Sequence, residues 1–301
     1  MIFELTVLGC NSAVPAYERH PSAQVIYHHQ QLYLIDCGES TQFQLRNYQV
    51  KYAKIDHIFI SHLHGDHYFG LIGLISSFHL NGRERALYIY APKKLEDIIY
   101  VQLKASDTKL RFPIFFIYTK MEYDKVYENK QIEVYTIPLI HRIPTTGFLF
   151  KEKTGLRKID KSKIDQYPLE PQHFKALQLG NDIEIKGEKI ENSALTLDPG
   201  PPRTYVYCSD TAYNEEILKY IKDADLLYHE TTFDQSNAER AAETLHSTTI
   251  EAGTIAKKAN AKKLMIGHYS SRYKDVQPLV DEVKTVFENT IPAIEGQTTK
   301  I

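Results

Sequence analysis

The sequence predicts an α/β fold of layered strands and helices. Three observations predict it. Apolar runs of strand length alternate with helix-length amphipathic stretches through most of the chain. The 301 residues, 43% hydrophobic and 25% charged, suffice for a large core. Residues suited to metal ligation also follow directly on strand-like runs, where open α/β sheets gather their sites.

The chain opens on Met1-Ile2-Phe3-Glu4-Leu5-Thr6-Val7, whose alternation marks a first strand at 2–8. Strands at 25–28 and 32–35 follow, then a helix at 39–48. A strand at 57–60 leads into a helix at 68–79, and a strand at 87–91 into a helix at 95–103. Strands at 114–118, 132–140 and 147–150 come next. The last third repeats the rhythm: strand 204–208, helix 214–222, strand 226–229, helix 249–258, strand 264–267, helix 278–288 and strand 293–295.

One stretch, 151–197, shows no clear βα unit and reads as an irregular insertion. Its first part, 151–163, carries six basic residues against two acidic ones. The rest of the chain reads as one domain over 1–301 with this segment inserted.

No basic stretch followed by an apolar run opens the chain, so no secretory signal is expected, and no apolar run is long enough for a membrane span. Cys10, Cys37 and Cys208 are odd in number and widely spaced, which suits buried thiols in a reducing cytoplasm. The formal net charge of −2 argues neither for nor against a nucleic-acid partner, because binding charge can be local.

The strongest signal is His62-Leu63-His64-Gly65-Asp66-His67. Alternation after the strand lets His62 and His64 point one way, while Asp66 and His67 sit at the turn into a helix. Four such side chains in six residues crowd polar groups together without purpose unless a cation holds them. His141, Asp210 and His268 each follow a predicted strand and complete the set. The expected division gives His62, His64 and His141 to one metal, and Asp66, His67 and His268 to the other, with Asp210 bridging. Nitrogen and carboxylate donors suit two Zn2+ ions, with Mn2+ or Fe2+ as alternatives. Two such ions, about 3.5–4 Å apart, suit hydrolysis of a phosphodiester.

The His-x-His-x-Asp-His pattern resembles the signature of the metallo-β-lactamase superfamily. Further motifs resemble bacterial ribonuclease Z over nearly the whole length. They are 8–15 (LGCNSAVP), 36–42 (DCGESTQ), Phe69-Gly70-Leu71, 138–141 (PLIH), Ser209-Asp210-Thr211, 229–233 (HETTF), His246-Ser247-Thr248 and 267–273 (GHYSSRY). The resemblance implies a four-layer αββα sandwich of two mixed β-sheets flanked by helices. It implies an endoribonuclease that removes the 3′ trailer from precursor tRNA. Asp66 would accept a proton, and His246, held by Glu230, would supply one to the departing 3′-oxygen. Ser270 and Arg272 would hold a substrate phosphate. The insertion resembles the family's tRNA-gripping arm, with Arg157, Lys158, Lys161 and Lys163 as phosphate contacts. A cytoplasmic homodimer is also implied. The chain departs from the family in lacking a Gly-Pro turn in the arm, where Pro168-Leu169-Glu170-Pro171-Gln172-His173 stands.

Two other readings compete. A general phosphodiesterase or exonuclease would keep the site and act on other RNAs. An RNA-binding protein that no longer cleaves should have lost ligands or the donor, whereas all seven ligands, Glu230 and His246 are present.

Overall fold

The computed structural model describes residues 2–301; Met1, at the head of the first alternating run, lies outside the described residues. Among the described residues two seven-stranded sheets carry the fold. In the first, the order from edge to edge is Thr298–Lys300, Phe3–Gly9, Ala23–His28, Gln31–Ile35, Ile55–Phe59, Leu87–Ala91 and Ile114–Tyr118. Its first four strands pair antiparallel, and from Gln31–Ile35 onward the pairing is parallel. The second runs Thr290–Pro292, Leu264–Gly267, Leu226–Glu230, Thr204–Cys208, Thr145–Glu152, Ile132–Leu139 and Lys125–Glu128. Its first four strands are parallel.

Strand alternation sorts each side chain to one face. On the outer face of the first sheet, Leu8, Val25, Leu34, Ile58 and Ile89 meet Leu45, Leu74, Phe78, Leu95 and Ile99 from the helices Thr41–Asn47, Leu71–Leu80 and Lys94–Ala105. On the inner face, Phe59 meets Phe148 and Phe150 of the second sheet at ring separations of 5.4 and 5.2 Å. Thr249–Lys258 and Gln277–Lys284 cover the far side, with Leu279, Val280 and Val283 buried. This is the expected αββα sandwich.

Most expected elements stand within a few residues. The expected strand at 293–295 is a correction: the strand is Thr290–Pro292. Beyond it Ala293 N–H bonds Ile266 and the Tyr269 hydroxyl, and the Glu295 carboxylate accepts from His20 and Gln44, so the chain turns instead of pairing. Lys125–Glu128, Thr298–Lys300 and the helix Ala238–Thr244 were not foreseen.

The irregular reading of the insertion is also corrected. Residues 151–203, with 128–133, form a compact unit of their own. Leu177, Ile183 and Leu195 are its buried core, surrounded by Ile159, Tyr167, Leu169 and Ile190. Ile183–Ile185 and Glu188–Ile190 make a hairpin whose turn residues Lys186 and Gly187 both have positive φ, as a two-residue loop of this kind requires. The Pro168–His173 departure has a purpose here: Glu170 caps the helix Pro171–Gln178, Pro171 opens it, and His173 closes a capping box. The elements are too short for periodicity to reveal.

Candidate metal centre

The hexad begins where Ile55–Phe59 ends, and its last residues form the short helix Gly65–Tyr68. His141 follows Ile132–Leu139, Asp210 follows Thr204–Cys208, and His268 follows Leu264–Gly267. Strand ends therefore bring all seven expected ligands to one place. His62, His67, Asp210 and His268 are buried, whereas His64, Asp66 and His141 are half-buried.

Asp210 divides its two oxygens between two groups. Its Oδ2 lies 3.5 Å from His62 Nε2 and 3.7 Å from His141 Nε2. His64 Nδ1 lies 3.1 and 3.2 Å from those same two nitrogens. The other Asp210 oxygen, Oδ1, lies 3.3 Å from His67 Nε2 and 3.1 Å from His268 Nε2. Asp66 Oδ2 approaches that second pair at 3.5 and 3.4 Å. Ligand atoms of His62, His64, His141 and Asp210 all lie within 4.8 Å of one another, and so do those of Asp66, His67 and His268. The donor set fits divalent metal: three nitrogens and one oxygen in the first group match a tetrahedral ion, and the second group is oxygen-richer. His67 and His268 commit their Nδ1 atoms to Asp36 and Thr232, so when neutral their Nε2 atoms face each other at 3.3 Å as bare lone pairs, and a shared cation resolves that.

Electrostatics support this. Burial lowers His62, and it brings His64 and His141 down to about 4, so these imidazoles are neutral at pH 7. Burial alone would raise Asp66 and Asp210, but the neighbouring imidazoles outweigh it and hold both carboxylates ionised.

Hydrogen bonds behind the ligands fix each ring. Asp36 Oδ2 accepts from His67 Nδ1 at 2.7 Å, and Asp36 also accepts from Ser61 N–H and the Tyr207 hydroxyl. His141 Nδ1 donates to the Leu245 carbonyl at 2.9 Å. His268 Nδ1 donates to Thr232 Oγ1 at 2.9 Å. Such partners set the tautomer and leave Nε2 facing the site. Asp36 and His268 both have left-handed φ, 54° and 60°, a conformation that aspartate and histidine adopt more readily than most side chains. Sequence reasoning assigned neither Asp36 nor Thr232 a role. Asp36 also ends a strand, so the placement argument applied to His141 would have found it; nothing in the sequence marks Thr232.

His246 lies beside the cluster, with its ring 5.0 Å from that of His141 and 5.5 Å from that of His268. Its Nδ1 bonds Glu230 Oε1 at 2.8 Å. Glu230 is fully buried and also accepts from the Thr211, Thr232 and Ser247 N–H groups. Burial alone would lower His246, but the Glu230 charge and hydrogen bond outweigh it and raise it to about 9.

A cleft of about 370 Å³ opens on the cluster, lined among others by Asp66, Asp210, His246 and His268. Ser270 and Arg272 do not line it. The Arg272 guanidinium lies over the Phe233 ring at 4.8 Å and donates to Asn237 Oδ1 at 2.7 Å. In the inserted unit, Arg157 is held by Thr196 and Asp198, while Lys158, Lys161 and Lys163 are exposed.

A family model described as Anti-Pycsar protein Apyc1 matches residues 3–162, more than half of the chain. Ribonuclease Z of Bacteroides fragilis is 44% identical over 296 residues, covering 98% of this chain and 97% of that one. The chain belongs to the ribonuclease Z family. Among solved structures, human tRNase Z, short form, superposes with TM-score 0.72 at 26% identity over 98% of both chains. A metallo-β-lactamase-fold protein of Bacillus subtilis superposes with TM-score 0.71 at 20% identity over 100% of both, a likeness of fold. As a ribonuclease Z family member the chain is a hydrolase with a site suited to divalent metal. No helix among the described residues is long and apolar enough to cross a membrane.

Proposed function

We propose that this protein is an endoribonuclease that hydrolyses one phosphodiester of precursor tRNA, removing the 3′ trailer and leaving a tRNA 3′-hydroxyl. The observation that carries this is the His246–Glu230 pair beside the seven convergent ligands. Water attacks phosphorus and the bond to the tRNA 3′-oxygen breaks. His246 is tied to Glu230 through Nδ1, which leaves Nε2–H to protonate that departing oxygen, and at pH 7 the ring holds its proton. Asp66, kept ionised by His67 and His268, accepts the proton that water loses. Two Zn2+ ions, or Mn2+ or Fe2+, held by the two groups around Asp210 would supply Lewis acidity and a nucleophile from water at neutral pH. Ser270 and Arg272, which follow His268, would hold a substrate phosphate once Arg272 leaves Phe233 and Asn237. The arm's Lys158, Lys161 and Lys163, with Arg157, contact tRNA phosphates by charge. The enzyme works in this reading as a cytoplasmic homodimer.

The test is an assay on a precursor tRNA with and without chelator, with the product ends mapped. One cut leaving a 3′-hydroxyl, abolished by chelator, is expected. The His246→Ala variant is expected to lose about 10²–10⁴ in rate with its metal content unchanged. Equal cutting of an unstructured RNA of the same length would replace this reading with a general phosphodiesterase.

A further inference from the structure

Among the cleft residues with no part in the chemistry above are Phe69 and Arg142. Phe69 is 62% exposed. Its ring nevertheless seats against Gly65. A Cβ added to Gly65 would lie 2.1 Å from Phe69 Cε2 and 2.4 Å from Cζ, so the ring presses on the backbone between His64 and Asp66. Tyr68 braces it in an edge contact at 5.1 Å. An aromatic ring held against the hexad and open to the cleft is a ready stacking surface. Arg142 directly follows His141 and lies at the mouth of the cleft. No hydrogen bond or ion pair holds its guanidinium among the described residues. Arg272, by contrast, is engaged with Phe233 and Asn237.

We propose that Phe69 and Arg142 form a nucleotide subsite beside the reacting phosphate. A base flanking the scissile bond stacks on Phe69, and a neighbouring phosphate pairs with Arg142. The inference rests on the RNA-cleaving reading and extends it from the scissile bond to the adjoining nucleotide. Every base has a π-face, so stacking grips single-stranded RNA without reading its sequence. A guanidinium adds a forked contact to phosphate oxygens. A protein partner would favour a continuous apolar surface. Here the cleft mixes Val14, Pro15 and Pro21 with Asp66, Arg142, Asp210 and His246, which suits a ligand that is part flat ring and part charge, as a nucleotide is.

The experiment uses full-length, metal-loaded protein carrying His246→Ala to slow turnover. Two precursor tRNAs are bound, with 2-aminopurine immediately 5′ or immediately 3′ of the cleavage site. The fluorescence of one of them should fall on binding as its base stacks. Adding Phe69→Ala should abolish that fall and raise Kd about tenfold, and Phe69→Tyr should restore both. Arg142→Gln should keep the fall but lower the slope of log K against log salt by about one. A fall of undiminished size with Phe69→Ala overturns the stacking role. So does a change in sedimentation mass with that variant, because Phe69 would then lie between subunits. An unchanged salt slope overturns the role of Arg142. Wild-type cleavage is measured in parallel: failure to cut precursor tRNA sinks the function proposed above, while the fluorescence still decides the subsite.

Discussion

Thr232 is the residue on which two halves of the site meet. Its hydroxyl donates to Glu230 Oε2 at 2.7 Å and accepts from His268 Nδ1 at 2.9 Å. One oxygen thus orients an expected metal ligand and the carboxylate that holds His246, the proposed proton donor. Thr232→Val keeps the shape and leaves both partners short of a bond. It should weaken zinc binding by about 10–100-fold in a chelator competition, and Thr232→Ser should recover most of that. Equal affinity in the valine variant would remove the coupling. His57 carries a prediction of another kind. It lies among Tyr33, Tyr88, Tyr90 and Tyr127, and burial pushes it down to about 4. The unfolded chain takes up the proton near 6.5 and the folded one only near 4, so stability falls as pH drops through that window. At pH 5 the loss is about 2 kcal/mol. Urea melts at pH 7.5 and 5 should show a difference that is smaller by about this amount in His57→Gln than in the wild type, because other histidines that burial lowers, His64 and His141 among them, still contribute.

The elements decide how the ligands come close. The 36–39 loop and the helix Gly65–Tyr68 touch backbone to backbone: Cys37 N–H bonds the His67 carbonyl at 2.8 Å, and Gly70 N–H bonds the Cys37 carbonyl at 2.9 Å. A Cβ on Gly38 would stand 2.4 Å from the Asp66 carbonyl oxygen, so only glycine permits this approach. The sequence showed a helix start near Gly38 and nothing of what packs on it. The hexad was legible because imidazoles and a carboxylate crowded at a strand end repay their desolvation only by holding a cation. The arm was not, because its elements are two to eight residues long and its core is three side chains. Its composition did mark it as basic. Removal of residues 155–190 should cripple cleavage of precursor tRNA and spare a small phosphodiester, which needs the metal centre alone. Matching losses on both substrates would make the arm a structural support.

At the scale of the whole molecule, the metal centre draws ligands from four distant segments, so ions bound there should stabilise the fold as well as the chemistry. The protein stripped by chelator should melt at lower temperature, and at ion concentrations about 100 times Kd the recovery should be about 2.7 kcal/mol for each ion bound. An identical melting temperature with and without Zn2+ would mean that the cluster takes up no ion in the folded state. What the sequence determined by itself was local and periodic: which runs are strands, which are helices, and that ligand-type residues end several of those strands. Alternation and spacing are properties of a few neighbouring residues, so the chain displays them unfolded. Only the tertiary structure decided that Asp210 turns one oxygen to each group of ligands, that Asp36 and Thr232 hold the imidazoles from behind, and that Phe69 rests on Gly65. Most of those relations join residues tens to hundreds of positions apart, and they exist only once the sheets have packed and brought their strand ends to one rim.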